Sequence, residues 1–219
     1  MRIAIAGAGN AGRAIARELI ANGHQVLLID KNPKALKMES VPSAEWLLAD
    51  ACEISALDKA KLDICQVMVA ATGDDKVNLV SSLLAKTEYG VPRVVARVNH
   101  PKNEWLFDSS WGVDVAVSTP RIIAALVEEA VSVGDVVRLF SLKAGQANLV
   151  ELTLPDNSIC IGKTVSEVQL PDDASLAAII RDNHVITPSA HDVFSAGDEL
   201  IFVASAKAEE LLKSCFVAN

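Results

Sequence analysis

Three glycines and one acid carry the first chemistry in this 219-residue chain. Gly7, Gly9 and Gly12 follow an apolar run and open a helical pattern in IAIAGAGNAGRAIARELI, with the spacing G-x-G-x-x-G. Each glycine has a mechanical use in that place. The first permits a tight turn, the second lets a pyrophosphate approach the backbone, and the third lets the helix pack close to the strand. Free N–H groups and the helix dipole then favour an anion. Asp30 closes the next apolar run, about 20 residues on, where an acid meets a ribose. Its carboxylate would accept hydrogen bonds from ribose hydroxyls and repel a 2′-phosphate, which favours NAD or an adenine nucleotide over NADP.

These residues need a strand ending at the loop and a second strand ending at the acid, and the pattern supplies both. Strands are expected at Arg2 to Ala6, Gln25 to Ile29, Ala44 to Asp50, Gln66 to Thr72, Arg93 to Val98 and Val113 to Val117. Helical segments fall between them, at Ala11 to Ala21, Glu53 to Lys59, Asp74 to Tyr89 and Lys102 to Ser110. Such alternation predicts an α/β fold with a Rossmann-like, doubly wound parallel sheet. Ligands of such sheets bind at strand carboxyl ends, which brings in Asp50 with Ala51 and the stretch from Ala71 to Asp75. Asp74 and Asp75 read equally well as caps of the following helix.

A further helix starts at Ser118-Thr119-Pro120 and places Ile123, Leu126, Val127, Ala130 and Val131 on one face. Its stripe is covered either by its own domain or by a second copy. Beyond Gly134 short strands alternate with Asp-Asn and Gly-Asp turns. The expected organisation is therefore a nucleotide-binding domain over 1–134, crossover helix included, and a smaller α+β domain over 135–219.

Apolar residues make up 51% of the chain and aromatics 4%, a composition suited to strands buried on both faces. With 20 Lys and Arg against 28 Asp and Glu, the net charge of −8 argues against nucleic acid as a partner. Cys52, Cys65, Cys160 and Cys215 lack any close pairing, so no metal is expected and the thiols read as reduced and cytosolic. No signal-peptide layout or membrane-span-length apolar run is present, so a soluble protein is expected. Of the four histidines, only His100 falls near a strand end, and no hydrolase or Walker motif occurs. A dehydrogenase would need a general acid or base over the nicotinamide, so the expectation is no catalysis and no catalytic residue.

The stretches IAGAGNAG, LLADA, AATGDDKVN, ARVNHPKN and STPRIIAALVEEAV together resemble the RCK (KTN) domain of the TrkA family. GKTVSEVQLP, AAIIRDNHVITP and FSAGDELIFVAS are similar to that family's C-terminal regulatory domain. The resemblance covers nearly the whole chain. It implies a cytoplasmic nucleotide-sensing subunit, peripheral to the inner face of the membrane, which gates a potassium channel or transporter. Homodimers paired through the crossover helix would assemble into a ring, with or without a second TrkA-like chain. NAD(H), ADP or ATP would occupy a pocket in which Gly7, Ala8, Gly9, Asn10 and Ala11 hold the phosphates, with Gly12 beside them. Asp30 would hold the ribose with Lys31 next to it, Asp50 and Ala51 would flank the adenine, and Thr72, Gly73 and Arg97 would complete the site.

Many relatives carry Arg where this chain has Asn10, and Asn supplies no charge for a terminal phosphate. That departure favours NAD(H) or ADP. Some relatives bind cyclic di-AMP in the small domain, and Ile180, Arg181, Asn183 and Pro188 stand at similar places, although a plain hairpin core also accounts for the isoleucines. Two other functions fit the opening motif: a small NAD-dependent oxidoreductase, and a regulator of another cation transporter.

Overall fold

The structure is a computed structural model that describes residues 1–131, 133–142 and 147–217. It divides into two compact units, Met1–Pro120 and Arg121–Asn219.

The first unit is built on β1 (Arg2–Ala6), β2 (Gln25–Asp30), β3 (Glu45–Leu48), β4 (Val67–Ala70), β5 (Arg93–Val98) and β6 (Val115–Ser118). They form one sheet in the order β3-β2-β1-β4-β5-β6, and every pairing is parallel. Helices α1 (Asn10–Ala21), α2 (Ile54–Lys59) and α3 (Asp75–Thr87) connect the strands.

Alternation along the strands splits the core into two layers. Ile3, Ile5, Val26 and Leu28 pack with Ile15, Ala16 and Leu19 of α1. Ala4, Ala6, Leu27, Ile29 and Met68 pack on the other face with Leu57, Leu62 and Ala85. Covering both faces is what the Val, Ile, Leu and Ala content was suited to, and it makes the sheet doubly wound. The chain winds outward from β1 to β3, then returns to place β4 on the other side of β1. That reversal opens a crevice at the carboxyl ends of β1 and β4, the place where such folds bind ligands.

The second unit holds a five-stranded antiparallel sheet, in the order β10-β9-β11-β8-β7. Its elements are β7 (Val136–Leu142), β8 (Ala147–Thr153), β9 (Ala174–Arg181), β10 (His184–Ile186), β11 (Glu199–Ala204) and helix α5 (Ala206–Phe216). Val150, Leu152, Ile179, Phe202, Leu212 and Phe216 form its core. Phe194 meets Phe216 edge to face at 5.7 Å. Asp182 and Asn183, both at positive φ (51° and 60°), make the two-residue turn from β9 to β10.

Helix α4 (Thr119–Val131) carries the expected apolar stripe, and Ile123, Leu126, Val127 and Val131 are each more than half exposed. Among the described residues, no helix is long and apolar enough to cross a membrane.

One local expectation is corrected. Lys102 to Ser110 is not one helical segment but two 3-10 turns, Pro101–Leu106 and Ser109–Trp111. Asp108 divides them, because its carboxylate caps the second turn by accepting from the Ser110 N–H at 2.9 Å. Arg97 lies within β5, inside the strand expected at Arg93 to Val98, and is paired with Val117 of β6.

Candidate nucleotide-binding site

The site begins at the turn after β1. Gly7 has φ of 103°, and its N–H donates to the Ile29 carbonyl at 2.7 Å, closing the loop onto β2. A Cβ at Gly7 would lie 2.9 Å from the Ala71 carbonyl group, so both conformation and space require glycine. At Gly12 a Cβ would come within 1.9 Å of the Gly7 oxygen, a measure of how closely α1 approaches the strand end. Gly9 differs. It is the N-cap of α1, has no side-chain cap, and a Cβ there would meet nothing of the protein within 4 Å. The fold does not require glycine at that position, whereas a group approaching the backbone would. The first N–H groups of α1 have no intrahelical partners and face this space with the positive end of the helix dipole.

Asp30 ends β2. Its carboxylate accepts from the Ala8 N–H at 2.8 Å and from the Asn32 N–H at 2.8 Å, so it braces the glycine loop. A carboxylate has about four acceptor positions, so the remaining ones are available to a ribose.

The next wall of the crevice follows β3. Asp50 accepts from the Cys52 N–H at 3.0 Å and from the Lys31 ammonium at 3.1 Å. The Cys52 amide first, and Lys31 after it, outweigh partial burial and hold the Asp50 carboxyl below its ordinary range. Burial, reinforced by Asp50, pushes the Cys52 thiol up to about 11, so it stays protonated and inert.

Across the crevice, Thr72 and Asp74 form the lip after β4. Asp74 caps α3 through the Lys76 N–H at 2.9 Å and lines the cavity. Asp75 turns away and is buried. Its carboxylate accepts from the N–H groups of Asn99 (2.7 Å) and His100 (3.1 Å), and from the Asn103 carboxamide (2.8 Å). Burial opposes its ionisation, but these bonds outweigh that and keep the carboxyl below its ordinary value. Arg97 lines the opposite wall, and its Nε is buried without a hydrogen-bond partner. A guanidinium in the wall of a cavity that also holds an uncapped helix N-terminus suits a phosphate.

These groups surround a cavity of about 630 Å³. Gly7, Gly9, Asn10, Ala11, Asp30, Lys31, Asp50, Ala51, Thr72, Gly73 and Arg97 all line it. Ala8 and Gly12, expected with them, do not. Ala8 is fully buried with its amide on Asp30, and Gly12 packs against Gly7 behind the wall. Ala71, expected with the stretch after β4, lines it as well, while Ile29, Ala49 and Val77 line it without having been singled out, since apolar residues at strand ends and on a helix look the same in sequence as core. Arg13 points elsewhere. Its guanidinium binds the Ala8 carbonyl and, at 2.7 Å, Asn10 Oδ1, so neither residue brings a free cation to the phosphates.

In the second unit, Arg181 is committed to Asp198, with bonds of 2.6 and 2.7 Å, and to the Val193 carbonyl. Ile180 pairs with Val185 and Asn183 sits in the exposed turn, while Pro188 is half-buried. No cluster of three or more metal-ligating side chains occurs among the described residues.

A six-stranded parallel sheet in this order, with its cavity at the reversal point, together with a small antiparallel unit later in the chain, defines a Rossmann-like α/β protein with an appended α+β unit. The chain belongs to the TrkA family: residues 3–119 match the TrkA-N domain and residues 149–216 the TrkA-C domain. It is 58% identical over 212 residues to the Trk system potassium uptake protein TrkA of Mycobacterium tuberculosis, covering 97% of this chain and 96% of that one. A TrkA homolog of Methanothermobacter thermautotrophicus is 30% identical, covering 91% and 92% of the two chains. Among solved structures, the GsuK channel bound to NAD superposes with a TM-score of 0.65 over 97% of this chain and 39% of that one. Its 18% identity speaks to the fold alone.

Proposed function

We propose that this chain is a nucleotide-sensing regulatory subunit of a membrane potassium-uptake system. The observation that carries the reading is the cavity itself: an uncapped α1 N-terminus, with Asp30 and Arg97 in its walls. It occurs in a chain 58% identical, end to end, to a Trk potassium uptake protein.

NAD(H) is the ligand that fits best, with ADP next. The Gly9 to Ala11 amides and Arg97 would face the diphosphate, Asp30 the adenosine ribose, and Asp50 with Ala51 the adenine. Thr72 and Gly73 border the remaining half. Asp30 disfavours a 2′-phosphate by like charge. With Arg13 tied to Asn10 and Lys31 to Asp50, Arg97 is the one lining cation without an acidic partner among the described residues, which disfavours a third phosphate. The ligand acts here as a signal rather than a reactant.

The exposed stripe of α4 is where a second copy would pack, and a ring of such dimers at the inner face of the membrane would act on the transporter. A ligand shifts such an assembly only by binding its two shapes unequally. The test is thermal-shift titration with NAD, NADH, ADP, ATP and cyclic di-AMP, followed by potassium uptake in cells lacking their own regulator. Stabilisation by NAD(H), lost in Asp30→Ala, together with restored uptake supports the reading. Binding without any effect on uptake would reassign the chain to another transporter or to an oxidoreductase.

A further inference from the structure

Asn78, in the first turn of α3, is fully buried behind the β4 lip. Its Oδ1 accepts from the Thr72 N–H at 2.9 Å and the Thr72 hydroxyl at 2.6 Å. Its Nδ2 donates to the Thr72 carbonyl at 3.2 Å and the Arg97 carbonyl at 2.8 Å. Two donors and two acceptor positions are all that a carboxamide has, so every one is used. Asp would lack the donors, and Leu would lack both kinds of group.

The two residues it holds belong to different walls. Thr72 follows β4, Arg97 lies in β5, and both line the cavity. A fully satisfied buried polar group fixes one geometry, because any displacement leaves desolvated partners unpaired. One side chain thereby sets both the lip and the strand from which the Arg97 guanidinium projects.

We propose that Asn78 is a positioning residue of the nucleotide site: without touching the ligand, it holds the Thr72 lip and the Arg97 strand at the spacing a bound diphosphate needs. The proposal rests on the reading of this cavity as a nucleotide site.

The test is calorimetric binding of NAD to the full chain, as wild type, Asn78→Ala, Asn78→Asp and Ser82→Ala, from about pH 5.5 to about pH 8.5. Ser82 is a control: it is buried on the same helix, and its hydroxyl bonds neither Thr72 nor Arg97. Asn78→Ala is expected to weaken NAD binding by about tenfold or more, Ser82→Ala to leave it unchanged.

Asn78→Asp supplies the reading that general destabilisation would not. Its ionised carboxylate would face the Thr72 and Arg97 carbonyls, and protonation would restore one donor. NAD affinity of this variant should therefore rise as pH falls, relative to wild type. The charged and titratable groups nearby are Asp74, Asp75, Arg97 and, through Asp75, His100. The wild type carries all four, so its profile is the baseline.

Should Asn78→Ala fail to fold, the Asn78→Asp profile decides. If both Asn78 variants bind NAD like Ser82→Ala at every pH, the positioning role is overturned and the site reading stands. If the wild type binds neither NAD, ADP nor ATP, the site reading falls and the inference with it.

Discussion

The Asp30 carboxylate accepts the Ala8 amide proton at 2.8 Å, so the acid expected to hold a ribose also holds the glycine loop in place. Removing it leaves a buried N–H unpaired as well as a ligand contact missing. Asp30→Ala should therefore lower stability by about 1–3 kcal/mol in urea unfolding, besides abolishing NAD stabilisation. Asp30→Asn keeps an oxygen for Ala8 and should recover most of that stability while binding NAD weakly. Equal stability of the two variants would show that the brace contributes nothing.

The glycines of the loop separate packing from recognition. Gly12→Ala forces a Cβ to within 1.9 Å of the Gly7 oxygen, which only backbone movement relieves, so a loss of about 2 kcal/mol or more is expected. Gly9→Ala meets no protein atom within 4 Å and should leave the unfolding midpoint in place. Its effect should appear in binding, as weaker NAD affinity measured by calorimetry. A Gly9→Ala variant that binds like wild type would mean that no ligand approaches this backbone.

In the second unit, Asp198 is fully buried, with the Arg181 guanidinium and the Ser195 N–H as its donors. Truncating one partner of a buried pair strands the other. Because Arg181 is one-third exposed and can rehydrate, the loss expected for Asp198→Ala is about 2–3 kcal/mol, below the roughly 3–5 kcal/mol of a fully buried pair. Chemical denaturation followed by far-UV circular dichroism measures it. NAD affinity should be unchanged in the same variant, since Asp198 belongs to the other unit.

Much of this architecture was legible in the sequence because the determinants are local. Gly12 is dictated by its close approach to the Gly7 carbonyl, Gly7 by its positive φ, Asp30 by the end of a strand, and the Asp182-Asn183 turn by its two residues. Long-range relationships were not legible. Ala8 reads as part of a phosphate loop, but its amide is spent on Asp30, 22 residues away. Arg181 reads as a ligand-binding cation, but Asp198 occupies it. Asn78 stood in plain view in AATGDDKVN, yet its role needs Thr72 and Arg97 to be brought together by two strands. The Lys102 to Ser110 stretch has helical periodicity, but Pro101 and the capping carboxylate of Asp108 break it into tight turns.

Asp75 gives the structure an acid-sensitive joint. Its folded-state pKa lies below the ordinary value of 3.8, so the unfolded chain binds the proton more readily and stability rises with pH across that interval. The contribution is fully present above the unfolded value and is lost as pH falls through the folded one. Protonation would weaken the bonds from Asn99, His100 and Asn103, which tie the loop after β5 to α3. Asp75→Asn removes the titration. Its stability should be lower than wild type at neutral pH, and the gap should narrow as pH falls below about 4. Urea unfolding at a series of pH values measures the two curves. A gap that stays constant down the acid limb would show that the Asp75 charge adds nothing beyond the hydrogen bonds an amide can imitate.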